Sequence, residues 1–475
     1  MAVTSISATA DRHILVQIID LPEQVLALIV SLVRDVTPAT AGYDARSSYA
    51  VVLRNLGSVG QCWRRVVKAV MSGDDLAWLY VRGSCSAAEC LSAFPRARAL
   101  RVDGDARAGD MAAVLASRSV VHLALANNER IRTCAPLGRL TTLRTLHLEV
   151  CRELSDTRSL ASLSSLVGLQ TLHLSGFHQL MDLAALSALT GLQKLHLSGC
   201  DQLSDVRSLS AFVGLQELHL RKCDQLIELE PLSALSGLDT LHLSGSYHLR
   251  KIQPLSALCG LRTLHLSNCD QLTDFVTLSS LRCLHTLQLS GCDRLHDLGA
   301  LTSLVGLHMH VLDLSQCTRL SNATALSTFV GLHTLRLRHC EQLSQLDAIS
   351  TLIGLCSLDL GHCARLSNLN PLSTLVGLRT LDLSYCRQLC DVSPLSALVC
   401  LRSLHLNNCY QLRDVQPLSV LVGLHTLDLS HCKQLSDVRS LSALVGLHTL
   451  HLTHSCEFRA VGTTLVVGLN TLSLS

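Results

Sequence analysis

A 23-residue phrase, written many times over, limits what this chain can fold into more than anything else in it. "LQKLHLSGCDQLSDVRSLSAFVG", from Leu192 to Gly214, is followed directly by "LQELHLRKCDQLIELEPLSALSG" from Leu215. Counted from the first leucine of L-x-x-L-x-L, units begin at Leu143, Leu169, Leu192, Leu215, Leu238, Leu261, Leu284, Met309, Leu332, Leu355, Leu378, Leu401, Leu424, Leu447 and Leu469, with fainter copies near Ala97 and at Val120. One such unit cannot bury its apolar side alone, so consecutive copies must stack into an array. At 475 residues the chain is also too long for one ordinary compact core. Hydrophobic residues make up 48% of it and aromatics 3%, so the core of the array is leucine and small aliphatics, not large rings.

Each position of the unit has a physical reading. In Leu195-His196-Leu197 the alternation has period two, which predicts a short strand with both leucines inward and the histidine on the opposite face. Stacked units then make a parallel sheet with one solvent-facing side. The stretch after the cysteine, "DQLSDVRSLSAL" or "YQLRDVQPLSVL", is too short and too rich in Ser and Pro for a long helix. Extended and 3₁₀ turns are expected there.

The pattern resembles the leucine-rich repeat, L-x-x-L-x-L-x-x-N/C-x-x-L, over roughly residues 97–475, about 17 units. That resemblance implies an α/β solenoid: a leucine-rich repeat horseshoe with a parallel concave sheet and short 3₁₀ or extended convex segments. Two subclasses mix in it. The D-V-x-P-L-S-x-L stretch resembles internalin-type repeats, whereas the recurring cysteine resembles the cysteine-containing class found in F-box proteins.

Two columns of side chains run through the units. Cysteine leaves eleven of the strands, at Cys151, Cys200, Cys223, Cys269, Cys292, Cys317, Cys340, Cys363, Cys386, Cys409 and Cys432, with Asn128 in the Val120 unit. A small side chain that is buried and satisfies turn backbone suits that place. The outward strand position carries His147, His173, His196, His219, His242 and His265, then Gln288, Asp313, Arg336, Asp359, Asp382, His405, Asp428 and His451. Adjacent imidazolium charges ~4.8 Å apart would repel, so the histidines are expected to stay mostly neutral at pH 7. Three readings of this column stand side by side: a tolerated surface residue copied by duplication, a partner-binding strip, or a transition-metal strip. The metal reading is the weakest and no metal ligand is assigned, because paired imidazoles show no evident third ligand in the sequence. Departures from the near-uniform repeat mark further candidates for partner binding: Glu217, Arg221 and Lys222 as one cluster, and Arg336 with Arg338 as another.

The first 96 residues do not share the repeat. They divide into a tail (1–20), a helical segment (21–70) and a connecting or capping stretch (71–96). "LPEQVLALIVSLVRDV" places Pro22 at a helix start, followed by apolar residues at helical spacing; "LRNLGSVGQCWRRVVKAV" repeats that spacing. These residues resemble an F-box: Leu21, Pro22, Val25, Leu26, Ile29, Leu32, Leu53, Leu56, Val59, Cys62 and Trp63 fit its pattern, although the connection "RDVTPATAGYDARSSYAVV" is longer than the family usually has. The resemblance implies that Leu21, Pro22, Val25, Leu26, Ile29 and Leu32 bind a Skp-type adaptor within a cullin-RING ubiquitin ligase. On that reading the repeats select the protein to be ubiquitinated. The alternative is a helical cap that shields the first repeat of a plain interaction scaffold.

Other function classes find little to stand on. The formal charge of +2 gives no global reason to expect nucleic acid, and the longest apolar run, Val25 to Val30, is too short for a membrane span. The HExxH, GxSxG and GxxxxGK signatures are absent, so neither an enzyme nor a cofactor is expected. A cysteine column at fixed offset does not pair off as a disulfide framework, and no basic leader opens the chain, which points to the cytoplasm or nucleus. The final "LNTLSLS" reads as a strand with no cap after it, so either association at that edge or a longer native chain that supplies the cap is expected.

Overall fold

The computed structural model describes residues 78–455 and 471–473, apart from 83–86, 88–90, 92–97, 105–112, 118, 129–130, 132, 152–153, 155–159 and 305–308. The segment 21–70, with Leu21, Pro22, Val25, Leu26, Ile29 and Leu32, lies outside the described residues. The chain divides into two compact units. One runs to Leu180 and takes in Ala184–Leu195; the other takes in Met181–Leu183 and continues from His196.

In the first unit the strands Trp78–Arg82, Ala99–Asp103, His122–Ala126, Thr145–Glu149 and Thr171–Ser175 pair in parallel, each in register with the next. Trp78–Arg82 is a rung within the stretch that reads from sequence as a connection. In the second unit, strands of three residues follow one another in parallel from Glu217–His219 to Thr449–His451, with Thr471–Ser473 paired after them. Corresponding residues face each other across each pair, as Leu335 faces Leu358. The L-x-L alternation does what its period requires: leucines such as Leu218 and Leu220 are fully buried, while His219 between them is partly exposed.

Opposite the sheet, repeats from the Val120 copy to the Leu424 copy turn through short 3₁₀ helices such as Glu230–Ala234 or Gln253–Ala257. The leucine spacing selects this geometry. Leu226, Leu229, Leu232, Leu235 and Leu238 are all buried and three residues apart, and three residues per turn eclipses them on one side, where 3.6 would carry them around the axis. The backbone closes accordingly: the amides of Leu232, Leu235 and Leu238 donate to the carbonyls of Leu229, Leu232 and Leu235 at 2.9–3.0 Å. Proline opens several of these turns, where a missing N–H costs nothing. Among the described residues no helix is long and apolar enough to cross a membrane.

The cysteine column is a hydrogen-bond ladder. From Cys223 to Cys432 the column's thiols reach the carbonyl at the strand end of an earlier rung: Cys223 to Leu197 (3.4 Å), Cys340 to Leu314 (3.2 Å), Cys432 to Leu406 (3.1 Å). Burial pushes the thiols up, Cys151 to about 11 and Cys269 to about 12, so they are neutral S–H donors at physiological pH. Asn128 fills the same place with an amide that donates to the Gly104 carbonyl, and Ser455 with a hydroxyl that donates to the Leu429 carbonyl. Ser246 also occupies the column and is fully buried, but its hydroxyl has no hydrogen-bond partner. Restoring the repeat's own residue with Ser246→Cys is expected to raise unfolding stability by about 1 kcal/mol, since an unsatisfied buried hydroxyl costs ~1–3 kcal/mol. Urea titration of the two proteins checks this.

The residue before the column turns left-handed in one unit after another, with φ of 71° at Gly199, 79° at Gly245 and 71° at Gly291. The same conformation is held by residues with side chains: Lys222 (55°), Asn268 (56°), His339 (60°), His362 (62°) and Tyr385 (61°). Outside glycine and asparagine that conformation costs roughly 1–2 kcal/mol per residue, and the surrounding rungs enforce it.

Candidate functional site

The outward face is built by the same alternation that buries the leucines, so its columns are fixed by backbone before any side chain is chosen. In the first unit, His147 and His173 stack with ring centroids 3.8 Å apart. In the second unit, His196, His219, His242 and His265 form one continuous stack at 3.8, 3.9 and 3.9 Å. Burial between neighbours, and after it the adjacent imidazoles, holds His219 down to about 4 and His242 to about 3; burial lowers His265 as well. These rings are neutral at pH 7 as expected, though desolvation outweighs the mutual repulsion that the sequence pointed to.

Glu217 enters this stack. Its Oε1 lies 3.1 Å from His196 Nε2 and 3.0 Å from His219 Nε2. Arg221 follows two residues after His219, exposed, and its charge helps to lower His219, His242 and His265. Lys222 is exposed in the left-handed turn. The structure therefore brings Glu217 and Arg221 to the histidine column and places Lys222 on the turn beside it.

The Arg336 and Arg338 pair is engaged with acidic neighbours. Arg338 Nη1 lies 2.8 Å from Asp382 Oδ2, two rungs on, and 3.8 Å from Asp359; Arg336 Nη1 lies 3.8 Å from Asp313. The aspartates have a second task, each accepting the backbone N–H two residues later: Asp313 from Ser315, Asp359 from Gly361, Asp382 from Ser384 and Asp428 from Ser430, at 2.8–2.9 Å. The acidic half of the column is thus partly strand-end capping. Burial, with the nearby Asp382 and Asp313 charges, raises Asp359 above the ordinary carboxylate range.

A further surface strip was not read from the sequence. In the left-handed turn column His339 stacks on His362 (3.9 Å) and His362 on Tyr385 (4.1 Å). Its signal was the residue before each cysteine, where glycine gives way to aromatic side chains in successive units.

Comparison with known proteins agrees with this architecture. A profile of two copies of leucine-rich repeats matches residues 401–443. An internalin of Listeria monocytogenes is similar in structure at 22% identity and a TM-score of 0.51, over 72% of this chain and 92% of its own. A leucine-rich repeat protein of Leptospira interrogans superposes with a TM-score of 0.54 at 18% identity, over 82% of this chain and 93% of its own. The structure of a TLR13–ssRNA13 complex gives 0.55 at 21% identity, over 74% of this chain and 56% of that one. At these identities the likeness establishes the fold. No curated protein matches the sequence. The repeats of this chain are leucine-rich repeats.

Proposed function

We propose that the chain holds a partner protein along the outward columns of its strand ladder and presents it to a ubiquitin ligase, as the substrate-recognition subunit of an SCF-type cullin-RING complex in the cytoplasm or nucleus. The contrast between the two sides of each strand carries the binding half of this reading. Inward positions repeat leucine in rung after rung, whereas outward ones shift from a histidine stack with Glu217 and Arg221 to an Asp–Arg network around Arg336 and Arg338. Selection for packing alone requires no such shift; a surface that discriminates one ligand from another does. The ligase half rests on residues 21–63, whose pattern resembles an F-box with Leu21, Pro22, Val25, Leu26, Ile29 and Leu32 as adaptor contacts.

Changing Leu21 and Pro22 together to Ala tests it, because apolar contacts at such a docking surface carry most of the affinity. The double variant is expected to keep the wild-type thermal transition and to retrieve at least tenfold less Skp-type adaptor and cullin from cell extract. If the wild-type protein retrieves neither under conditions in which an established F-box protein does, the chain is an interaction scaffold without a ligase role.

A further inference from the structure

Two imidazoles and a carboxylate converge at one place on the second unit. His196 ends the strand Lys194–His196, and Glu217 opens, as His219 ends, the strand Glu217–His219. Alternation puts Glu217 and His219 on the same side. Glu217 Oε1 sits between the two rings, 3.1 Å from one Nε2 and 3.0 Å from the other, and one ligand atom from each residue lies within 4.8 Å of the other two.

We propose that His196, Glu217 and His219 bind a divalent transition-metal ion of the Zn²⁺ class. The two ring nitrogens and the carboxylate fill three positions, and a fourth is left for water or for a donor group of a bound partner.

The donor set is of the right kind: borderline nitrogen ligands with one hard oxygen suit Zn²⁺ or Co²⁺ and leave a position open when only three protein ligands are supplied. The spacing is near what coordination needs, since a tetrahedron with bonds of ~2.0–2.1 Å has edges of ~3.3–3.4 Å. His219 Nε2 is buried and makes no hydrogen bond, although the Glu217 carboxylate oxygen lies 3.0 Å from it. An ion accepting that lone pair would satisfy a group that is otherwise unpaired. Glu217 is the one carboxylate in its column, where Thr240, Thr263, Thr286, Thr334 and Thr380 recur and Lys194 is the departure on the preceding rung. Arg221 opposes the ion's charge and, together with it, would favour an acidic side chain as the fourth ligand.

Titration of the full chain with Co²⁺ tests the site directly. One equivalent is expected to give the intense visible bands of a low-coordinate ion with no thiolate charge-transfer band, and Zn²⁺ is expected to bleach them. Glu217→Gln and His219→Gln should each weaken binding at least tenfold. His405→Gln, at the same strand position on a distant rung, should leave it unchanged. Circular dichroism of each variant confirms its fold; if His219→Gln is not folded, Glu217→Gln, with its partly exposed side chain, decides. Failure to bind one equivalent, a thiolate band reporting the exposed Cys259, Cys283, Cys390 or Cys400, or undiminished binding by Glu217→Gln overturns the proposal. Adaptor retrieval plays no part in this readout, so the metal site and the ligase reading fail separately.

Discussion

Cys340→Asp should destabilise the second unit by about 3–5 kcal/mol or more at neutral pH, the scale measured when a buried charge is left without its partner. Cys340 is completely buried, its thiol donates to the Leu314 carbonyl, and Cys317 and Cys363 lie above and below it. Burial, and then those neighbours, pushes its own pKa far up, so the site opposes any negative charge. An aspartate there would have its folded-state pKa raised above the ordinary value of about 3.9. A raised folded pKa means that the variant is least impaired near pH 4 and loses about 1.4 kcal/mol per pH unit above that, until the folded pKa is reached. Cys340→Ser is the control. Ser455 already fills this column and donates to the Leu429 carbonyl, so serine should cost far less and show no such slope. Urea melts from pH 4 to 8 separate the two; parallel curves for Asp and Ser would refute the account of the column as a dry hydrogen-bond ladder.

Phe212→Ala should cost about 3–5 kcal/mol, the usual loss for a fully buried aromatic ring. Phe212 is completely buried where most units carry leucine, as at Leu235, Leu258 and Leu352, and Phe329 repeats the exception. Its amide closes the 3₁₀ turn on the Leu209 carbonyl at 3.0 Å, so the ring anchors the turn to the core. Phe212→Leu, the column's common residue, should lose much less because the backbone already accepts leucine at that place. A calorimetric scan of both variants checks the ranking, and equal losses would show that the ring's volume does not matter there.

How far these places could be read in advance depended on the range of the interaction. Inward leucines were legible because their period is the strand's own, and the cysteine column because it recurs at one offset. The left-handed turns were not: Gly199, Lys222, His339 and Tyr385 share a backbone conformation without sharing a side-chain type, and neighbouring rungs impose it. The histidine column was visible as a string, but its contact with Glu217 was not. Glu217 lies 21 residues from His196 and two from His219, and only the register of adjacent strands shows that the three meet. The pairing of Arg338 with Asp382 spans 44 residues and two rungs, beyond any local pattern.

The in-register pairing of successive strands has a consequence for distance. Because Leu335 faces Leu358 and Leu358 faces Leu381 with no slip, excising one whole 23-residue copy from the second unit would let its neighbours meet with the same partners. Positions along the face can then change only in steps of ~4.8 Å, one strand at a time. Within that unit the ladder behaves as a ruler with fixed graduations. Unequal recombination between gene copies would lengthen or shorten the separation between the Glu217 rung and the Arg338 rung by whole graduations, leaving the chemistry of each mark intact.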